Sequence, residues 1–393
     1  MPYDSRTANN SLRNSRRDCL KKLALSGAGA ALLPTAFVAQ SLKARAATPA
    51  KNTQTVLGPV PVDQLGMTLM HEHAPSVDWS ELYEQKPGPL AEIREEMLTN
   101  TAGLLDAFHK TLNEKTGPGA IVECTPIRVG RYPLLMKELA ERTPVHIIAS
   151  TGFWCEAAAP QHPWAIELGY SQDGVRKLAD LFVREISEGM EDPSGEFGEK
   201  FTNIKAGMIK IATSNYLRPS ERRVHEAAAI AAIETGAPVT THTTSGGGLE
   251  EAELFLRMKA DPSKICIGHL GNKDDRENEN AYEYHRHLAE LGFNVQFDRV
   301  GLSKYKPEKS AVQIHKLIDC GHANQILVSH DAVPYVYTNY ATDEVSSEGW
   351  SYDPVDFTQC STVLVDELKK LDVSDETLYQ IMVKNPQRVL GFC

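Results

Sequence analysis

"GMTLMHEHAP", residues 66–75, ends a run of β-forming side chains on two histidines one residue apart, His71 and His73. Residues i and i+2 of a strand face the same side, so both imidazoles point one way. Such a pair is either two ligands of one metal ion or two polar residues where a strand gives way to a loop. The choice rests on what the rest of the chain brings to the same level.

Similar short runs recur along the chain, with helix-period stretches between them. After "GMTLMHEH" come "GAIVECT", "VHIIAST" and "AGMIKIAT", ending at Thr125, Thr151 and Thr213. The second half gives "APVTTH", "KICIGH", "FNVQFD" and "QILVSHD", ending at His242, His269, Asp298 and Asp331. The stretch "ERRVHEAAAIAAIETG" closes on a glycine, as helices often do. Runs in the second half end about 30 residues apart, the size of one βα unit. Eight such units predict an α/β fold, a (β/α)8 TIM barrel, in a single domain. A doubly wound open sheet is the alternative, but no Gly-rich dinucleotide fingerprint follows an early strand.

In such a barrel the active site forms at the carboxyl ends of the strands. His71 and His73 end the first, His242 the fifth, His269 the sixth and Asp331 the eighth. Imidazole and carboxylate suit zinc and similar ions, so together these residues describe a metal constellation. Lys210, in "GMIKIAT", sits among apolar neighbours, where an inward ammonium is costly. It either snorkels to the rim or takes up carbon dioxide as a neutral amine, forming a carbamate that bridges two metal ions.

The N-terminus belongs to no such unit. Adjacent Arg16 and Arg17 precede an apolar stretch from Leu23 to Val38 and the small-x-small sequence Ala44-Arg45-Ala46. That order reads as a secretory signal, residues 1–46, which resembles the twin-arginine export signal; residues 47–393 are the expected (β/α)8 domain. The expected location is the periplasm or the medium, with no stable membrane insertion. Removing eight Lys/Arg and two Asp/Glu takes the net charge from −11 to −17, which argues against nucleic acid or anionic membrane as a partner. The six cysteines left show no CxxC spacing, and Cys124 and Cys266 read as buried free thiols.

With these residues in hand, the chain resembles the phosphotriesterase family of the amidohydrolase superfamily from about Thr55 to Phe392. The motifs are "TLMHEH", "GMIKIAT", "APVTTHT", "CIGH", "QILVSHD" and "KNPQRVLGF". The resemblance implies two divalent metal ions, zinc foremost. His71, His73 and Asp331 would hold the buried ion and His242 and His269 the exposed one, with carboxylated Lys210 and a hydroxide bridging them. Asp331 would accept the hydroxide proton as attack proceeds. His330 is expected at the rim.

"FDRVGL", Asp298 to Leu302, looks like a stretch of the family's lactonase branch, in which Arg299 would border the leaving group at the pocket mouth. Trp154, in "STGFW", stands where organophosphate-hydrolysing members have a tryptophan wall. Asn272 departs from the family, which carries a proton-relay aspartate there; Asp274 and Asp275 are the candidates to replace it. Tyr335, Tyr337, Tyr340, Trp350 and Tyr352 either cap the pocket or pack the last loop onto the barrel. "EDPSGEFGEKF", from Glu191, reads as a polar link. The expected function is hydrolysis of a small-molecule ester or lactone, with organophosphate triesters as a second substrate class. Hydrolysis of another ester or an amide, or metal-bearing binding without turnover, are the alternatives, and a homodimer is left open.

Overall fold

The computed structural model describes residues 51–78, 90–154, 163–213, 216–243, 247–272, 281–302, 305–339, 344–346 and 356–393. The signal segment lies outside them, as do Asp274, Asp275, Tyr340, Trp350 and Tyr352. The first half of the barrel alternates β1 (Thr68–Glu72), α1 (Leu90–Lys110), β2 (Ala120–Glu123), α2 (Pro133–Ala140) and β3 (His146–Thr151). Two helices, α3 (Pro163–Tyr170) and α4 (Gly174–Ser187), then lead to β4 (Met208–Thr213). The second half runs α5 (Pro219–Thr235), β5 (Val239–Thr243), α6 (Gly248–Met258), β6 (Ile265–Ile267), α7 (Ala281–Glu290), β7 (Asn294–Phe297), α8 (Pro307–Asp319) and β8 (Ile326–Val328).

All eight strands pair in parallel and in chain order. The sheet closes between β8 and β1 by the loop ends: Asp331 N donates to His71 O at 3.0 Å, and His73 N to Ala332 O at 2.9 Å. This is the (β/α)8 barrel expected from the spacing of the runs. Alternation along the strands sends Ile209, Ile211, Val239 and Phe297 outward to the helices. Met70, Val122, Ile148, Met208 and Leu327 fill the interior below the site.

β1 breaks this alternation. Its register against β2 shifts between Leu69 and Glu72, so one extra residue is inserted. Met70 already faces the interior, and strict alternation would turn His71 out toward the helices. The bulge re-aims His71, and with it His73, into the barrel, leaving Glu72 on the other side. Gly152 marks a second special contact. Its φ is +112°, and a Cβ there would lie 1.9 Å from the Lys210 carbonyl, so only glycine lets β3's end approach β4 this closely.

Candidate active site

His71, His73, Lys210, His242, His269 and Asp331 come together at the carboxyl face, all buried. His73 Nε2 and His71 Nε2 lie 3.3 and 3.5 Å from Asp331 Oδ1. Lys210 Nζ donates to His71 Nε2 at 2.7 Å. On the other flank His269 Nε2 faces His242 Nδ1 at 2.6 Å. The rings of His71 and His269 stack at 4.9 Å, which joins the two groups. His269 and Asp331 both adopt left-handed backbone, φ +57° and +58°, rare for residues with a side chain. Hydrogen bonds from their own N–H groups, to Asp298 and to His71 O, hold them there.

The other ring nitrogens are already engaged. Asp298, just past β7, accepts from His71 Nδ1 at 2.9 Å and from His269 Nδ1 at 2.8 Å. One carboxylate thus fixes an imidazole in each group. Gly268 makes room for it, because a Cβ there would stand 2.9 Å from Asp298 Oδ2. His73 Nδ1 donates to Thr125 Oγ1 at 2.9 Å, and that hydroxyl donates in turn to Glu123. These outer partners leave the Nε2 lone pairs of His71, His73 and His269 directed into the site.

Protonation follows the same pattern. Burial, reinforced by Lys210, lowers His71, and burial also lowers His73. Burial and Arg299 bring His269 down to about 4, and burial with His269 beside it holds His242 well below its ordinary value. Burial alone would raise Asp298 and Asp331. His269 and His71 beside Asp298, and His269 and Arg299 beside Asp331, instead hold both well below the usual carboxylate range. Burial lowers the Lys210 amine as well. Neutral imidazoles, ionised carboxylates and an amine driven toward its neutral form are the donor states a divalent cation requires, so the residues present fit such an ion.

The two substrate-facing candidates differ in placement. The Trp154 ring packs edge-on against His242 with centroids 4.5 Å apart, and Lys210 Nζ lies 5.5 Å from that ring. Arg299, partly exposed at the carboxyl face, turns its guanidinium to the ligands. Its Nε donates to Asp331 Oδ2 at 2.9 Å and its Nη2 lies 3.2 Å from His269 Nε2, because the buried carboxylate is the strongest acceptor within reach.

Three other expectations need correction or completion. His330 points away from Asp331, but it is fully buried rather than at a rim, between Glu72 and the Cys360 backbone N–H. Glu191 opens no mere polar link: it is buried and accepts from Arg128 Nε at 2.9 Å, beside the bidentate Arg131–Glu185 pair. Tyr335 is buried against α1, where its hydroxyl accepts from Asn100 at 2.8 Å. For this tyrosine the packing alternative holds. Sequence reasoning passed over Asp298, Glu72 and Thr125 as ligand supports, although each stands at or beside a strand end.

Residues 51–390 match the phosphotriesterase family. A "Phosphotriesterase homology protein" of Mycobacterium tuberculosis is 30% identical over 342 residues, covering 85% of this chain and 96% of its own. A "Phospho-furanose lactonase" of Mycoplasmopsis synoviae is 30% identical over 352 residues, 87% of this chain and 92% of its own. The solved organophosphorus hydrolase from Deinococcus radiodurans superposes with a TM-score of 0.72 at 27% identity, over 87% of this chain and 97% of that one. The motifs, the barrel and the buried His/Asp groups agree with these likenesses: the chain belongs to the phosphotriesterase family, as a hydrolase.

Proposed function

We propose that the chain hydrolyses lactones at a pair of zinc-type ions, with organophosphate triesters as a secondary substrate class. His71, His73 and Asp331 would hold one ion and His242 and His269 the other, with Lys210, as its carbamate, between them. The observation that carries this reading is the convergence of those side chains, with the outer nitrogens of His71, His73 and His269 already engaged. When bound, two such ions lower the pKa of a shared water and polarise a carbonyl or phosphoryl oxygen. The chain's own residues would do the rest. Asp331, kept ionised, accepts the proton of the attacking water. Arg299 stays on Asp331 and balances its charge, and Trp154 closes the His242 side against solvent.

The lactone preference draws support from "FDRVGL" and from the name of the Mycoplasmopsis synoviae relative. It is tested by turnover of zinc- or cobalt-loaded protein against lactones, aryl esters, amides and phosphate triesters. Lactones should give the highest kcat/KM, and turnover of amides alone would replace the reading. Arg299→Ala should lower lactone and triester turnover together, by roughly ten-fold or about 1.4 kcal/mol, because its contact is with Asp331. A loss confined to lactones would mean that the guanidinium turns to the substrate instead.

We also propose export through the twin-arginine route, supported by Arg16-Arg17 and the Ala44-x-Ala46 site. Replacing both arginines by lysine should retain the precursor in the cytoplasm, read by fractionation. Unchanged export would favour the general secretory route.

A further inference from the structure

We propose that Gln296 is a positioning residue for both metal positions, its side-chain NH2 holding Asp298 between His71 and His269. The inference rests on the metal reading above and concerns a residue that makes no contact with substrate. Gln296 and Asp298 are i and i+2 at the end of β7, so both face the interior of the barrel. Gln296 Nε2 donates to Asp298 Oδ2 at 2.9 Å, the same oxygen that accepts from His71 Nδ1. Asp298 Oδ1 is taken by His269 Nδ1. The carboxylate therefore cannot rotate toward either histidine without breaking its bond to the glutamine. That restraint keeps both imidazoles in the tautomer whose Nε2 faces the site.

The cost of this arrangement argues that it has a purpose. Gln296 is fully buried, and its register partner on β8 is Leu327, part of the apolar interior layer with Met208 and Ile148. At that level an apolar side chain is the expected occupant. Nε2 also lies 3.2 Å from His71 Nδ1, but the shorter contact with the carboxylate sets the amide, because a turned oxygen would face Asp298 Oδ2 at 2.9 Å. Held as it is, Oε1 has no hydrogen-bond partner among the described residues. A buried orphan acceptor destabilises the fold. What offsets it is the work of the NH2 group on Asp298.

This separates metal retention from stability. Gln296→Met, close in volume, removes both the donor and the orphan acceptor. Its urea midpoint should be unchanged or higher than wild type. Zinc bound to the full chain, measured by competition with a chelator of known affinity, should be held about ten-fold or more weakly. The absorption bands of the cobalt-loaded protein should shift with the freed imidazoles. Gln296→Asn, whose amide is too short to reach, should weaken zinc similarly, and it takes over the test if the methionine variant does not fold. Wild-type zinc affinity in these variants overturns the inference and leaves the metal reading standing. Loss of affinity only in proportion to lost folded protein assigns Gln296 a structural role and also overturns it. If wild-type protein itself takes up no zinc, the metal reading fails, and this inference with it.

Discussion

Lys210→Ala should lose most bound metal and lower kcat by roughly a thousand-fold, about 4 kcal/mol of transition-state stabilisation. The expectation follows from where the amine sits. Lys210 is fully buried on the inner face of β4, its Nζ donating to His71 Nε2, with Trp154 as the nearest aromatic wall. Burial lowers its pKa, and Arg299 adds to that, while Cys124, Asp331 and Asp298 oppose it. A neutral amine can add to carbon dioxide, forming an N–C bond and releasing one proton, and the carbamate then carries a negative charge where a cation was disfavoured. On the carbamate reading, alanine removes that anionic oxygen pair from beside His71.

The check is metal per chain by mass spectrometry together with turnover, before and after adding a short carboxylic acid. Because alanine leaves a cavity about the length of the lost side chain, an acid of two or three carbons should restore part of both. Arginine at the same position fills the space without supplying an anion and should not respond. If Lys210→Ala keeps its full metal and rate, the lysine is only a buried residue paired with His71, and the bridging assignment fails.

Much of this site was legible because barrel strands place their last residues on one face. The ends of the runs lead to His71, His73, His242, His269 and Asp331, and Lys210 stands out as a charge among apolar neighbours inside the fourth run. The errors lie where tertiary contacts override strand periodicity. His71 and His73 share a face as expected, but the face is set by the β1 bulge, which leaves no mark in a sequence window. His330 was assigned to the rim from its opposition to Asp331. Yet the side opposite a barrel interior is the helix layer, so a side chain there is buried and needs partners. The position of Arg299 after Asp298 leads to the pocket but not to its partner there, which is the ionised carboxylate of Asp331. Asp298 and Gln296 read as ordinary strand-end residues until the two histidines that they orient are seen together.

Glu72, the residue between the two histidines, should prove nearly as important as the ligands. The bulge that turns His71 inward turns Glu72 toward the end of β8. There its carboxylate accepts from Ser329 Oγ at 2.7 Å, His330 N at 2.9 Å, His330 Nδ1 at 2.8 Å and Ala332 N at 2.8 Å. These bonds clamp the β1 end, bearing His71 and His73, to the turn bearing Asp331, at the seam where the barrel closes. Cys360 N–H donates to His330 Nε2 at 2.9 Å, so His330 sits here as the neutral tautomer whose Nδ1–H donates to Glu72. Glu72→Gln removes the charge and replaces one acceptor with a donor that faces other donors. The expected loss, read from the urea midpoint, is about 1–3 kcal/mol, as for buried donors left unsatisfied. On the proposed two-ion reading, metal per chain during a chelator titration should fall first at His71, His73 and Asp331 and only later at His242 and His269. Loss of both together, as in wild type, would mean that Glu72 does not hold this seam.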